Sequence, residues 1–113
     1  MSRPKVTVVG SGFVGSTSAQ RIFESGLADV CLIDIIEGKP QGIALDLMQA
    51  APVLGVEGKI VGTNSPKDTY GSEVVLVTAG LPRKPGMDRS DLLEVNGRIV
   101  RDVADYVRNG SPN

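Results

Sequence analysis

The sequence contains no histidine, a single cysteine and no long hydrophobic run. Without histidine the chain has no imidazole, the side chain that most often acts as a general base near neutral pH. Cys31 cannot form an internal disulfide bond, and its place in an apolar run predicts a small buried thiol. No signal-peptide core and no stretch of about 18 apolar residues is present, which predicts a cytoplasmic protein without a membrane partner.

The charge balance is equally unremarkable for a small globular protein. Twelve basic and 13 acidic residues give a net charge of −1, and both signs are scattered along the chain. This distribution favours neither nucleic acid nor an anionic membrane as a partner. A length of 113 residues fits one domain with its own core. We expect no metal site.

The most informative pattern lies in Val6–Gly15, where an apolar run enters a glycine turn and a helical pattern follows. Gly10, Gly12 and Gly15 have the spacing G-x-G-x-x-G of dinucleotide-binding turns. In such turns the first glycine allows a tight bend, the second lets a pyrophosphate approach the backbone, and the third lets the helix pack against the strand. The N-terminus of the helix then directs free N–H groups at the phosphates.

An acidic residue follows at the expected distance. Asp34 ends a second apolar run, about 20 residues after Gly15, where a carboxylate accepts hydrogen bonds from the adenosine ribose. Its negative charge repels the additional phosphate of NADP, so the pattern predicts NAD as the cofactor. The alternative is an ordinary strand–turn–helix unit with an aspartate in a loop.

Strand and helix patterns alternate along the chain. The predicted strands are Lys5–Val9, Asp29–Asp34, Gly58–Thr63 and Glu73–Thr78, and the predicted helices are Phe13–Ser25, Pro40 to Ala50 or Ala51, and Arg89–Val107. This alternation predicts an α/β fold, a Rossmann-type doubly wound parallel sheet with strand order 3-2-1-4. Pro52 is expected to end the second helix.

Two predicted elements have apolar surface left over. The second helix has an apolar stripe, and Leu45 lies off it, so the helix either packs in one core or also contacts a second subunit. The fourth strand, with Val74–Val77 at its centre, would be an exposed sheet edge without charge or proline if no further strand followed. We therefore expect the chain to be the first, incomplete part of a larger enzyme.

The loop after the fourth strand contains three cations, Arg83, Lys84 and Arg89. It follows a strand beside the switch in strand order, where α/β sheets bind ligands, which predicts a position near the nicotinamide end of a dinucleotide. Arginine binds a carboxylate through two parallel hydrogen bonds, so these residues favour a substrate with carboxylates. The alternative is a solvated charged loop.

The segment Thr78–Asn96, TAGLPRKPGMDRSDLLEVN, resembles the corresponding loop of NAD-dependent malate dehydrogenases, in the lactate/malate dehydrogenase superfamily. Gly10–Gly15 and Asp34–Gly42 also resemble this family, especially its lactate-dehydrogenase-like malate branch. The resemblance covers the whole chain but only about the N-terminal third of a family member. A catalytic C-terminal domain is then expected outside this chain.

The resemblance implies a role for each matching residue. Arg83, on a loop that closes over the substrate, would bind the distal carboxylate of malate or oxaloacetate, whereas the lactate branch usually has an uncharged residue there. Arg89 would hold and polarise the substrate, and Lys84 would be a solvated neighbour. The implied cofactor-binding residues are Gly10, Ser11, Gly12, Phe13, Val14, Gly15, Asp34 and Asn96.

The family's base is a histidine oriented by an aspartate, and a further arginine binds the other carboxylate; the resemblance implies that all three lie later in the family sequence. A polypeptide of these 113 residues alone is therefore expected to bind cofactor poorly and to turn over nothing. The family also implies a homo-oligomer, dimer or tetramer, and a place in the tricarboxylic acid cycle. Two alternatives stay open: a non-catalytic NAD-binding module, and a dehydrogenase of lactate or another 2-hydroxy acid.

Overall fold

A computed structural model of the chain describes residues 3–78, 85–86 and 88–112. Its elements are β1 Lys5–Val9, α1 Phe13–Ser25, β2 Asp29–Ile33, α2 Lys39–Leu54, β3 Ile60–Thr63, a 3₁₀ helix Pro66–Thr69, β4 Val74–Val77 and α3 Arg89–Gly110. The predicted bounds of β1 and α1 are confirmed, because the glycine turn marks the boundary between them and Gly26, with φ of 72°, ends the helix.

All four strands are parallel and lie in the order β3-β2-β1-β4, as predicted. Val9 pairs with Ile33 on one side and with Val77 on the other. The carboxyl ends of the three strands are therefore level. This register places the residues that follow each strand, Gly10, Asp34 and Thr78, at one edge of the sheet.

Helices cover both faces of the sheet. On one face α1 and α2 bury a larger cluster, formed by Val8, Ala19, Phe23, Val30, Leu32, Ala44, Ala51 and Ile60. On the other face Val103 of α3 packs against Val9 and Ile33. The switch between the two faces occurs at β1 and β4, so the fold is an incomplete Rossmann-type α/β sheet.

The predicted end of α2 is wrong. Pro52 lies inside the helix, which continues to Leu54 and ends at Gly55, with φ of 72°. Because Pro52 is in the last turn, its missing N–H removes one helical hydrogen bond without preventing the last residues from completing the turn. The Gly55 N–H then donates to the carbonyl oxygens of Ala51 and Pro52.

Other boundaries differ by a few residues. Helix α3 extends to Gly110 and not only to Val107, and its end packs against the ring of Tyr70, since a Cβ on Gly110 would lie 1.9 Å from that ring. Strand β2 ends at Ile33, which leaves Asp34 in the following turn.

Within the described ranges, no helix combines the length and apolarity that crossing a bilayer requires.

The lone cysteine occupies the position that the sequence predicts. Cys31 lies in β2, 2% exposed, and its thiol donates to the Asp68 carbonyl oxygen. Burial raises the pKa of the Cys31 thiol, although Lys5 and a hydrogen bond with Thr7 act in the opposite direction. A buried thiol with a raised pKa is a packing group and not a nucleophile.

Strand β4 forms one edge of the described sheet and is largely exposed. Val74, at 56% exposure, Leu76 and Val77 present apolar surface to solvent. We expect the isolated 113-residue polypeptide to associate through this edge. Light scattering over a concentration series should show growing particle size for the unmodified chain and less growth for Val74→Lys.

Leu27→Lys is the matched control, because Leu27 is also exposed but lies in the turn between α1 and β2. It should not reduce association. If the unmodified chain stays monomeric at high concentration, the expected association through the β4 edge is contradicted.

Candidate cofactor and substrate site

The glycine turn has the backbone geometry that its spacing predicts. Gly10 has φ of 104°, in the left-handed region that favours glycine, and its N–H donates to the Ile33 carbonyl oxygen at 2.8 Å. A Cβ on Gly15 would lie 1.8 Å from the Gly10 carbonyl oxygen and 2.7 Å from Thr78 Oγ1. Only glycine at position 15 lets α1 begin this close to β1 and β4.

The space in front of α1 is open. No atom of the described residues would lie within 4 Å of a Cβ on Gly12, and Phe13 and Val14 are exposed. Gly12 is the N-cap residue, and within the described ranges no side chain caps the first N–H groups of α1. This open, uncapped helix start has the shape and polarity that a pyrophosphate requires, so the residues fit a dinucleotide.

Asp34 lies beside this turn and is fixed by it. Its Oδ2 accepts hydrogen bonds from the Ser11 backbone N–H at 2.6 Å and from Ser11 Oγ at 2.5 Å, and its Oδ1 accepts one from the Ile36 N–H at 3.1 Å. Burial raises the pKa of Asp34, but the hydrogen bonds from Ser11 and Ile36, with a smaller contribution from the Ile35 N–H, outweigh it, so the pKa lies below its ordinary value of 3.8. The carboxylate is therefore ionised at neutral pH.

The lowered pKa of Asp34 predicts a loss of stability in acid. A group whose pKa is lower in the folded state stabilises the fold above its ordinary pKa, and this contribution disappears as the pH falls through the folded value. We expect the free energy of unfolding to decrease below about pH 4. In Asp34→Asn this decrease should be smaller, whereas Asp46→Asn, on the exposed side of α2, should leave it unchanged. Urea unfolding of the unmodified protein and the two variants from pH 2.5 to 7 measures these decreases in the free energy of unfolding. Equal decreases in all three proteins would contradict the prediction.

Two residues that position the site are not predicted from the sequence. Asn64 Nδ2 donates to the carbonyl oxygens of Asp34 and Ile36, at 2.8 and 3.0 Å, and so fixes the turn that carries the carboxylate. Thr78 Oγ1 donates to the Val9 carbonyl oxygen at 2.8 Å and ties β4 to the start of the glycine turn. Each residue directly follows a strand and therefore lies at the ligand-binding edge of the sheet. This position after a strand is the sequence signal that could have identified it.

The predicted substrate residues are only partly within the described ranges. Arg83 lies outside them, as does its neighbour Lys84. Arg89 is exposed at the first position of α3, directly after Asp88, whose Oδ1 accepts a hydrogen bond from the Asp91 N–H at 2.8 Å. No hydrogen bond links Arg89 to the glycine turn in the part of the chain that the structure describes.

Asn96 lies half-buried on the same helix, about two turns after Arg89, so the two residues share a helix face. The structure thus unites the glycine turn with Asp34 through Ser11, and it places Arg89 and Asn96 together on α3. Among the described residues, no group of three or more acidic, cysteine or histidine side chains is arranged to bind a metal.

Comparison with known proteins identifies the family. A family model described as lactate/malate dehydrogenase, NAD binding domain, matches residues 4–113. The chain belongs to the lactate/malate dehydrogenase family. Within this family the matched part is the NAD-binding domain, which agrees with the glycine turn, the acidic residue after β2 and the strand order. NAD is therefore the cofactor, as the sequence predicts.

Curated proteins similar to this chain span more sequence than it does. A protein of Nostoc punctiforme named malate dehydrogenase is 56% identical over 110 residues, which are 97% of this chain and 34% of that protein. A malate dehydrogenase of Roseiflexus sp. is 53% identical over 98% of this chain and 36% of its own length. The chain thus spans about a third of the length of the curated relatives it matches.

Solved structures of the family share the fold. The malate dehydrogenase of Picrophilus torridus in its apo form has a TM-score of 0.93 and 39% identity, over 98% of this chain and 36% of that one. The lactate dehydrogenase of Cryptosporidium parvum, complexed with lactic acid and nicotinamide adenine dinucleotide, has a TM-score of 0.90 and 44% identity, over 100% and 36%. The described fold is thus common to dehydrogenases named for two different substrates.

Proposed function

We propose that this chain is the N-terminal, NAD-binding part of a malate dehydrogenase that catalyses the reversible NAD-dependent oxidation of malate to oxaloacetate. Fold alone does not select the substrate, because malate and lactate dehydrogenases match it about equally well. Arg83 is the observation that carries the proposal. A guanidinium in the substrate loop matches a second carboxylate, which malate and oxaloacetate have and lactate and pyruvate lack.

The proposed site combines cofactor-binding and substrate-binding residues of this chain. Gly10–Gly15 and Asp34 hold the pyrophosphate and the adenosine ribose, and Asn96 contacts the cofactor. Arg83 binds the distal carboxylate, and Arg89 holds the substrate and polarises it at the reacting carbon. When bound, NAD accepts a hydride from the alcohol carbon. These residues bind and orient; the chain contains no histidine to take the hydroxyl proton.

The exposed side chains of α2 support a homo-oligomer as part of this proposal. Ala44 and Ala51 are buried against the sheet, whereas Leu45 is 59% exposed and points away from it. A helix that is apolar on both sides fits a contact with a second subunit. A cytoplasmic location, predicted from the sequence, and a role in the tricarboxylic acid cycle, implied by the family resemblance, accompany the proposal.

The test is substrate selectivity in the full-length gene product. NADH oxidation should proceed with oxaloacetate at a kcat/KM about 10³-fold or more above that with pyruvate, because a site with a cation for the second carboxylate leaves that cation unpaired with pyruvate. NADPH should replace NADH poorly, because Asp34 repels its additional phosphate. Equal use of pyruvate would favour the lactate alternative, and tight NADH binding without turnover of either acid would favour a binding module.

A further inference from the structure

The hydroxyl of Ser11 is buried behind the carboxylate that the cofactor is proposed to meet. Ser11 is 1% exposed, and its Oγ and backbone N–H both donate to Asp34 Oδ2, at 2.5 and 2.6 Å. Asp34 itself is only half-buried. A ligand that approaches from solvent therefore reaches the carboxylate of Asp34 and not the hydroxyl of Ser11.

The carboxylate keeps acceptor capacity toward solvent. An ionised carboxyl group has about four lone-pair sites. Two bonds from Ser11 and one from the Ile36 N–H occupy three of them, on the side of the protein. The remaining capacity can accept a hydrogen bond from a ribose hydroxyl. The bonds from the protein side fix the orientation of the carboxylate that accepts it.

We propose that Ser11 is a positioning residue for NAD recognition, whose hydroxyl orients Asp34 from behind without touching the cofactor. This inference rests on the proposed role of Asp34 in holding the adenosine ribose. It changes the role that the family resemblance implies for Ser11, from a cofactor contact to a support of the residue that selects NAD over NADP. The lowered pKa of Asp34 agrees with it, because hydrogen bonds from Ser11 stabilise the charged carboxylate.

A competing interpretation makes the opposite prediction. If the ribose had to displace the Ser11 hydroxyl from Asp34, then removing the hydroxyl would strengthen NADH binding. Burial argues against displacement, because the freed hydroxyl would have to find another acceptor inside the turn. The two interpretations are therefore distinguished by the sign of one change in affinity.

The experiment uses Ser11→Ala in the full-length gene product, with NADH and NADPH dissociation constants measured by fluorescence titration. We expect NADH binding to weaken about tenfold and NADPH binding to stay equal or to strengthen, so the preference for NADH falls. Ser11→Thr, which keeps a hydroxyl, should restore NADH binding. Ser25→Ala is the matched control, because the Ser25 hydroxyl also donates a hydrogen bond, but to the Ile22 carbonyl oxygen at the far end of α1.

A double-mutant cycle shows whether Ser11 acts through Asp34. In an Asp34→Ala background, Ser11→Ala should change NADH affinity by less than about twofold. A tenfold loss there, unchanged NADH binding in the single variant, or equal losses for NADH and NADPH would overturn the inference. If Ser11→Ala shows no cooperative thermal transition, Ser11→Gly replaces it with the same expected results, and unfolding of both would also overturn it. Because these readouts are binding constants, they stay interpretable even if oxaloacetate turnover, and with it the proposed substrate, fails.

Discussion

Arg83→Gln in the full-length gene product is expected to lower kcat/KM for oxaloacetate by about 10²- to 10³-fold and to leave the dissociation constant of NADH within about twofold. The proposed guanidinium–carboxylate pair has two parallel hydrogen bonds, and glutamine supplies neither the charge nor the second donor. The site for NADH is formed by the glycine turn and Asp34, which this substitution does not alter. Steady-state kinetics and a fluorescence titration of NADH measure the two effects separately.

Lys84→Gln is the matched control. It removes a neighbouring cation that we interpret as solvated, so kcat/KM for oxaloacetate should change by less than about threefold, as exposed charges contribute little. Equal losses of oxaloacetate use and NADH affinity in Arg83→Gln would remove the role we assign to Arg83. A loss in Lys84→Gln as large as in Arg83→Gln would mean that general positive charge, and not one guanidinium, binds the substrate.

Gly15→Ala is expected to decrease the free energy of unfolding by about 3 kcal/mol, because overpacking forces a rigid neighbour to move. The added Cβ would lie 1.8 Å from the carbonyl oxygen of Gly10, a backbone atom held by the sheet. The helix would then have to move away from the ends of β1 and β4. Thermal and urea unfolding of the full-length gene product measure the effect, and NADH binding should be lost with it.

Gly12→Ala separates binding from folding. A Cβ there would meet no atom of the described residues within 4 Å, and Gly12 has φ of −71°, which alanine adopts readily. The stability should therefore stay within about 0.5 kcal/mol of the unmodified protein. NADH binding should nevertheless weaken about tenfold or more, because the methyl group lies where the pyrophosphate approaches the backbone. Unchanged binding in Gly12→Ala, or full stability in Gly15→Ala, would contradict these roles.

Local chemistry explains which parts of the fold the sequence predicted. The turn from β1 into α1 follows from Gly10 and Gly15, whose requirements are satisfied within a few residues of the chain. The strand order followed from the alternation of elements and the handedness of the crossovers. The prediction that Pro52 ends α2 is wrong because a proline near the end of a helix removes only one hydrogen bond, and the helix ends at Gly55.

The site was less predictable where it depends on neighbouring strands. Asn64 reads as a turn residue and Thr78 as a strand end, and only the parallel register brings them to Asp34 and to the glycine turn. The burial of Ser11 behind Asp34 has the same origin. The role of the substrate loop, in contrast, comes from the family resemblance and not from the structure, because Arg83 lies outside the described residues.

Oxaloacetate-dependent NADH oxidation should be measured for two purified samples, the 113-residue polypeptide with its mass of 11.8 kDa verified and the full-length gene product. We expect turnover by the gene product and none by the 113-residue polypeptide, because this chain supplies residues that bind cofactor and substrate but no histidine to transfer the proton. Turnover by the 113-residue polypeptide would show that another of its residues carries the proton. A gene product that binds NADH without reducing oxaloacetate would contradict the proposed function.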